Sequence, residues 1–124
     1  MGYESKLYIV EKSHLRDDNG MVYAQVIATF DMCKCYFLSD VLVKGSKTNC
    51  YFYADDGNTK VLEDKYGDEL TEASVGDVIE VLEKAVEIGE DYRRIFPLLS
   101  MLKTFSEQQK NNKWGNLVVL HYGY

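Results

Sequence analysis

The chain has 124 residues, of which 46% are hydrophobic and 13% aromatic, and its formal net charge is −6. This length fits one compact domain, predicted to span residues 1–124, and the apolar fraction excludes an intrinsically disordered chain. No apolar run has the length of a membrane-spanning helix, the N-terminus lacks a secretory signal pattern, and the three cysteines favour a reducing cytosol.

The N-terminal part of the sequence predicts a β-hairpin. Residues 6–13 alternate in the manner of a strand with apolar side chains on both faces. Residues 17–20, Asp-Asp-Asn-Gly, predict a tight turn because Asn and Gly tolerate positive φ. The strand over residues 21–30 is expected to present one apolar face, formed by Val22, Ala24, Val26, Ala28 and Phe30.

The next segment combines a helical pattern with a second hairpin. Apolar residues recur at helical spacing over residues 36–44, which predicts a short helix that ends at Gly45. Residues 50–54 and 59–63 predict two strands, and the residues between them, Asp-Asp-Gly-Asn, predict the reversal that joins them.

The C-terminal half predicts two longer helices and a last strand. Ser74 is expected to cap a helix that runs through residue 88. A second helical pattern over residues 92–105 contains Pro97, which must start, kink or split that helix. Residues 117–122 predict the last strand. The fold expected is therefore α+β, with an antiparallel sheet of about five strands and two to three helices packed on one face.

The charge is distributed unevenly along the chain. Residues 55–91 carry thirteen acidic and three basic side chains, a local charge of −10, whereas the rest of the chain carries +4. Such a segment repels nucleic acid and attracts basic protein surfaces, so it favours partner binding over catalysis. The predicted partner-binding residues are Asp55, Asp56, Glu63, Asp68, Glu69, Glu72, Asp77, Glu80, Glu83, Glu87, Glu90 and Asp91.

Four of these residues belong to the predicted helix that Ser74 caps, on its outward side: Asp77, Glu80, Glu83 and Glu87. Lys84 stands four residues after Glu80 and can pair with it. Glu87 lies near the end of the helix, where the helix dipole favours cations. Two explanations fit this pattern. The structural one is an ordinary solvent-exposed helix face. The functional one is a docking surface that imitates phosphate spacing or fits a basic groove.

The cysteines raise the alternative of a zinc site. Cys33 and Cys35 are spaced so that a strand would place both thiols on one face, where Cys50 or His121 could join them. Structural zinc needs four ligands, commonly presented as two close pairs, and this chain offers one such pair. Free cysteines that pack as small apolar side chains are commoner, so we expect no metal and no cofactor.

A metal-dependent nuclease is a second alternative. Asp55, Asp56 and Glu63 could hold Mg²⁺ while Lys65 supports an attacking water. A hairpin turn followed by a solvated strand end explains the same residues. The surrounding negative charge would also oppose a nucleic-acid substrate.

A third alternative is a structural or assembly component. Tyr51 and Tyr53 are expected to share one strand face, and a tyrosine-rich sheet edge can associate with a second copy. Packing of tyrosine within sheets is the simpler explanation of most of the ten tyrosines.

Four stretches carry a family resemblance: residues 2–13 (GYESKLYIVEKS), 53–59 (YADDGNT), 64–70 (DKYGDEL) and 120–124 (LHYGY). With them the chain resembles small uncharacterised proteins encoded by bacteriophages and prophages of Gram-positive bacteria. The resemblance implies a protein of the cytoplasm of an infected bacterial cell, and it assigns no functional residue.

Small acidic phage proteins are often inhibitors of host enzymes or defence nucleases, including CRISPR effectors, although origin does not fix function. We therefore expect a non-catalytic inhibitor or modulator whose residues 55–91 occupy a basic surface of a host nucleic-acid-binding protein.

Overall fold

The structure, a computed structural model, describes residues 5–16, 18–33, 46–54, 56–87, 92–111 and 116–123. Within these ranges the fold is α+β. Its elements are β1 (Ser5–Arg16), β2 (Val22–Cys33), β3 (Ser46–Lys47), β4 (Cys50–Tyr53), β5 (Lys60–Val61), β6 (Thr71–Ser74), α1 (Val75–Glu87), α2 (Tyr92–Lys110) and β7 (Asn116–Gly123). Both hairpins, both longer helices and the last strand are confirmed, and the helix predicted over residues 36–44 lies outside the described residues.

The described strands form a mixed sheet in the order β3-β6-β7-β1-β2-β4-β5. β1 pairs antiparallel with β2 on one side and with β7 on the other. The sheet differs from the expected one because the described residues form seven strands and because β2 pairs with β4 in parallel. A parallel pair needs a crossover of a dozen or more residues, and the chain between β2 and β4, residues 34–49, is long enough to provide it.

A β-bulge at Ile27 divides β2 into two parts, and even-numbered side chains point to opposite faces of the sheet in the two parts. Val26 and Ala28 are the partners of two adjacent residues of β1, so Ile27 is the extra residue. Val26 therefore packs on one face of the sheet, whereas Ala28 and Phe30 pack on the other. The single apolar face predicted for residues 22–30 is wrong beyond the bulge, because one extra residue inverts the alternation that follows it.

α1 and α2 pack on one face of the sheet. Their apolar side chains meet alternate residues of β1 and β7 in the larger core cluster, which includes Leu7, Ile9, Val78, Leu82, Ile95, Leu98, Leu102, Leu117 and Val119. Most of these side chains are fully removed from solvent. Burial of apolar surface on this scale stabilises both helices, which would be marginal as isolated segments.

Local chemistry explains how α1 begins and how α2 accommodates its proline. The Ser74 hydroxyl accepts a hydrogen bond of 3.1 Å from the Asp77 N–H, as an N-cap residue does. Pro97 lies inside α2 and the helix continues through it. The proline is in the second turn, so the carbonyl that loses its partner belongs to the first turn of the helix.

The face of the sheet opposite α1 and α2, here called the far face, has its own smaller core. Its buried members are Val10, Ala24, Cys50, Phe52, Leu70, Val118 and Leu120. Tyr8, Val26, Val61 and Tyr122 pack against this cluster while staying partly exposed. β1 and β7 are therefore buried on both faces, which explains why their sequences carry apolar residues at consecutive positions.

We expect Leu82→Ala to lower the free energy of unfolding by about 2–5 kcal/mol, because it leaves a cavity between α1 and the sheet. Leu82 is 0% exposed, and Leu62 is 47% exposed. The matched control, Leu62→Ala, should change stability by less than about 0.5 kcal/mol. Urea denaturation of the two variants checks this, and equal losses would contradict the packing of α1.

Candidate functional site

The predicted partner-binding carboxylates do not share one environment. Asp55, Glu90 and Asp91 lie outside the described residues. The others lie in two turns, on β6 and on α1: Asp56, Glu63, Asp68, Glu69, Glu72, Asp77, Glu80, Glu83 and Glu87. The segment also contributes to both faces of the sheet, since Leu70 packs on the far face while α1 packs on the other.

Asp56 organises the turn between β4 and β5. Its carboxylate accepts hydrogen bonds from the N–H groups of Asn58 and Thr59 at 2.8 and 2.9 Å, and from the Thr59 hydroxyl at 2.6 Å. These bonds, the Thr59 hydroxyl foremost, lower the pKa of Asp56 to about 2. Gly57 supplies the positive φ that the turn requires, at 74°. The carboxylate therefore has a structural role.

A second turn contains Glu63, Lys65, Asp68 and Glu69. Glu63 and Glu69 form an isolated antiparallel bridge, and the Lys65 N–H donates to the Gly123 carbonyl at 3.0 Å. Glu69 makes an exposed ion pair with Lys47 at 2.8 Å. Of the residues named for the nuclease alternative, Asp56 thus lies in one turn and Glu63 and Lys65 in another.

Glu72 belongs to a polar network on the far face. Its carboxylate forms an ion pair of 2.9 Å with Lys12 and accepts a hydrogen bond of 2.7 Å from the Thr48 hydroxyl. Thr48 in turn accepts the Cys50 N–H at 3.0 Å, and Lys12 contacts Asn49 at 3.3 Å. The Lys12 and Glu72 side chains are only 17% and 19% exposed. Glu72 therefore joins β1, β6 and the start of β4.

The zinc alternative has two described candidates on different sides of the molecule. Cys50 is buried in the far-face core, where burial raises the pKa of its thiol. His121 is the cross-strand partner of Leu7, so both side chains leave the sheet on the face that α1 and α2 cover. The Cys33 side chain and Cys35 lie outside the described residues. Within the described ranges, no group of three or more His, Cys, Asp or Glu could hold a metal ion.

The outward face of α1, here called the acidic face, consists of Asp77, Glu80, Glu83 and Glu87. All four side chains are exposed. Glu80 lies 3.6 Å from Lys84 on the same helix, and Glu83 lies 3.2 Å from Lys103 of α2. At 100° and 1.5 Å per residue, the four carboxylates occupy an arc of about 120° over about 15 Å of helix. This is the part of the predicted set that remains together on one element.

A tyrosine cluster occupies the sheet near the start of β2. Tyr51 and Tyr53 share a strand face, as predicted, with ring centroids 5.8 Å apart. Tyr23 joins them at 5.9 and 5.7 Å through the parallel pairing of β2 with β4. Lys60 lies over the Tyr51 ring, 4.5 Å from its centroid. Tyr23 and Tyr53 are each 40% exposed, so the cluster presents aromatic surface.

A cleft of about 540 Å³ opens on the far face between strands β1, β2, β4 and β7. Tyr8, Phe52 and Tyr122 line it with aromatic rings, Tyr53 and Ala54 also border it, and Lys6, Thr29 and Asp31 line it with polar groups. Burial, followed by the neighbouring Tyr8 and Asp64, raises the pKa of Tyr122.

Apart from Tyr53, the residues of this cleft are not among those that the sequence predicts for a site. Period-two spacing places Lys6 and Tyr8 on one face of β1, which is a readable signal. Thr29 and Asp31 reach the same face only because the bulge at Ile27 inverts the end of β2. No local sequence feature marks that bulge. The cleft can therefore be recognised only once the pairing of the strands is known.

No protein-family model matches this chain. No curated protein and no solved structure is significantly similar to it either. The likeness to phage-encoded proteins therefore stays a prediction. Of the helices that the structure describes, none is both long and apolar enough to cross a membrane.

We expect Lys12→Met to lower the free energy of unfolding by about 1–3 kcal/mol, because it leaves the partly buried Glu72 carboxylate without its cation. The control is Lys84→Met, which breaks an ion pair whose side chains are 74% and 68% exposed. That variant should cost at most about 0.5 kcal/mol. Chemical denaturation at neutral pH compares them, and an equal effect would contradict a structural role for the Lys12–Glu72 pair.

His121 should make stability depend on pH in the weakly acidic range. Burial lowers the pKa of His121 below its usual 6.5, and the nearby Asp64 offsets part of that effect. The unfolded chain therefore binds more protons, so stability falls as the pH drops from about 6.5 through the folded-state pKa.

His121→Gln should flatten this part of the stability profile, measured by urea denaturation at a series of pH values between about 7 and 5. Asp56, with its pKa near 2, stays ionised over that range and does not contribute to the slope. An unchanged slope in His121→Gln would show that other groups cause the pH dependence.

Proposed function

We propose that this protein is a non-catalytic, phage-encoded binding protein that inhibits or modulates a host nucleic-acid-binding protein in the bacterial cytoplasm. A CRISPR effector is one example of such a target. The acidic face of α1 docks on a basic surface of the target and excludes its nucleic acid. The observation that carries the proposal is the clustering of four exposed carboxylates on this one helix.

The spacing of the charges supports this mode of binding. Four carboxylates along about 15 Å of helix give one negative charge per about 5 Å. One strand of DNA carries a phosphate about every 3.4 Å along its axis. The two densities are comparable, so a groove lined with Arg and Lys for a nucleic-acid strand can receive α1 instead.

The intramolecular ion pairs on the acidic face do not oppose docking. The Lys84 and Glu80 side chains are 74% and 68% exposed, and those of Lys103 and Glu83 are 54% and 50% exposed. Exposed pairs of this kind contribute about 0–1 kcal/mol. Basic side chains of a partner can therefore replace Lys84 and Lys103 at little cost.

Glu87 gives further support because local stability does not favour it. It stands in the last turn of α1, where the negative end of the helix dipole disfavours a carboxylate. Asp77, at the positive end of the dipole, is locally favourable instead. A carboxylate that costs helix stability and remains exposed is better explained by an interaction outside the chain.

The proposed surface is narrower than residues 55–91. Asp56 and Glu72 are omitted because their carboxylates are held by the β4–β5 turn and by Lys12. Glu63, Asp68 and Glu69 are omitted because they lie in the second turn and not on α1. Asp55, Glu90 and Asp91 remain candidates on the sequence alone. The nuclease alternative is less favoured, since it would need the carboxylate of Asp56 that the turn already engages.

The test compares capture of host proteins by the wild type and by the variant Glu80→Lys, Glu83→Lys, Glu87→Lys. We expect the wild type to retain basic nucleic-acid-binding proteins from a bacterial lysate, and the variant to retain them at least about tenfold less, a loss of about 1.4 kcal/mol. Retention should also fall steeply with salt, because charge pairing across an exposed interface is screened. Quantitative mass spectrometry of the retained proteins measures both effects.

The matched control is Asp18→Lys, Asp68→Lys, Glu107→Lys, which changes the net charge equally at exposed positions outside α1. It should retain the same proteins as the wild type. Equal losses in the two triple variants would assign the effect to net charge alone. Retention that is insensitive to salt and to both variants would refute docking through the acidic face.

A further inference from the structure

The cleft on the far face has the size and composition of a small-molecule site. Its volume of about 540 Å³ falls in the range of roughly 300–1,000 Å³ that such sites occupy. It combines an aromatic wall with a few polar groups, which is how a site binds a ligand and also orients it.

The aromatic wall consists of rings that packing holds in place. Phe52 is 4% exposed, and the Tyr8 ring lies against it with a centroid distance of 4.5 Å and an interplanar angle of 35°. Tyr122 meets Tyr8 edge to face, with centroids 6.0 Å apart. Tyr8 and Tyr122 are only partly buried, so they offer ring surface to a ligand. A flat ring system suits this wall because it can stack on one of the two rings and meet the other edge to face.

The polar groups of the cleft lie on the neighbouring strands β1 and β2. Lys6 is the cross-strand partner of Asp31 on one side and of Tyr122 on the other. Partners of this kind project from the same face, so an ammonium and a carboxylate stand side by side next to the aromatic wall. Thr29, two residues before Asp31, adds a hydroxyl, and Lys6 lies 5.3 Å from the centroid of the Tyr8 ring.

We propose that this cleft binds a nucleoside monophosphate. The heterocyclic base stacks on the Tyr8 ring and meets the nearly perpendicular Tyr122 ring edge to face. The Asp31 carboxylate accepts hydrogen bonds from the ribose hydroxyls, and the Lys6 ammonium, displaced from above the Tyr8 ring, binds the phosphate. A purely apolar ligand would cover the polar groups of Lys6 and Asp31 without replacing their contacts with water, and a sugar phosphate would leave the rings uncovered. One cation beside a carboxylate, in a chain of net charge −6, favours a single phosphate over a triphosphate.

The test titrates the full chain with the monophosphates of adenosine, guanosine, cytidine and uridine, by calorimetry or ligand-observed NMR. We expect saturable binding of at least one of them, and weaker binding of the matching nucleoside, of its triphosphate and of ribose 5-phosphate. Absence of saturable binding for all four monophosphates would overturn the proposal. Equal binding of ribose 5-phosphate would also overturn it, because it would show an anion site without base stacking.

Variants of the cleft then locate the site. Tyr8→Leu keeps an apolar side chain but removes the ring, and it should weaken nucleotide binding about tenfold. Lys6→Ala should reduce the affinity for the monophosphate to that for the nucleoside. The controls are Tyr23→Leu and Lys60→Ala, which alter a tyrosine and a lysine of the same sheet outside the cleft lining. Unchanged affinity in Tyr8→Leu, or equal losses in the controls, would contradict the assignment.

Two further variants distinguish loss of the cleft from loss of stability, and nucleotide binding from partner docking. Thr29→Trp fills the cleft from an exposed strand position, so it should abolish binding without disturbing the core even where Tyr8→Leu lowers stability. The triple α1 variant should bind the nucleotide as the wild type does. Nucleotide binding and partner docking therefore succeed or fail separately.

Discussion

The pairing of β1 with β2 on one side and with β7 on the other decides which side chains meet on each face of the sheet. Alternate residues of β1 contribute to two separate cores, with Leu7 and Ile9 beneath the helices and Val10 on the far face. The helices depend on the first of these cores for their stability, since short helices are marginal without packing. The Lys12–Glu72 network and the cleft depend on the second, because both are assembled from strands that only this register brings together.

The acidic segment shows that a stretch of sequence rich in acidic residues does not by itself form one acidic surface in the folded protein. Asp56 holds a turn, Glu72 closes a network between distant strands, and α1 presents its carboxylates outward. Within forty residues of sequence, acidic side chains thus stabilise a turn, connect distant strands or simply face the solvent. What distinguishes these roles is the identity of the hydrogen-bond donors and cations around each carboxylate, and several of these come from other parts of the chain.

Features determined by neighbouring residues could be predicted from the sequence, and features determined by distant residues could not. The Ser74 cap, the β4–β5 turn and the period-two strands are local, and each is found where expected. The parallel pairing of β2 with β4, the bulge at Ile27 and the Lys12–Glu72 pair depend on which strands become neighbours. The cleft belongs to this second group as well, since Lys6 and Asp31 are separated in sequence and meet only through the register of β1 and β2.

The central place of β7 has a consequence for synthesis on the ribosome. β7 lies between β1 and β6, yet it follows both of them by more than forty residues in chain order. Until residues 116–123 have left the exit tunnel, the backbone edges of β1 and β6 that they will cover have no partner there. Nascent chains in that state are candidates for chaperone binding and for mispairing with other strands. The sheet therefore completes its folding only after residues 116–123 have emerged, and joining strands so far apart in the chain slows it.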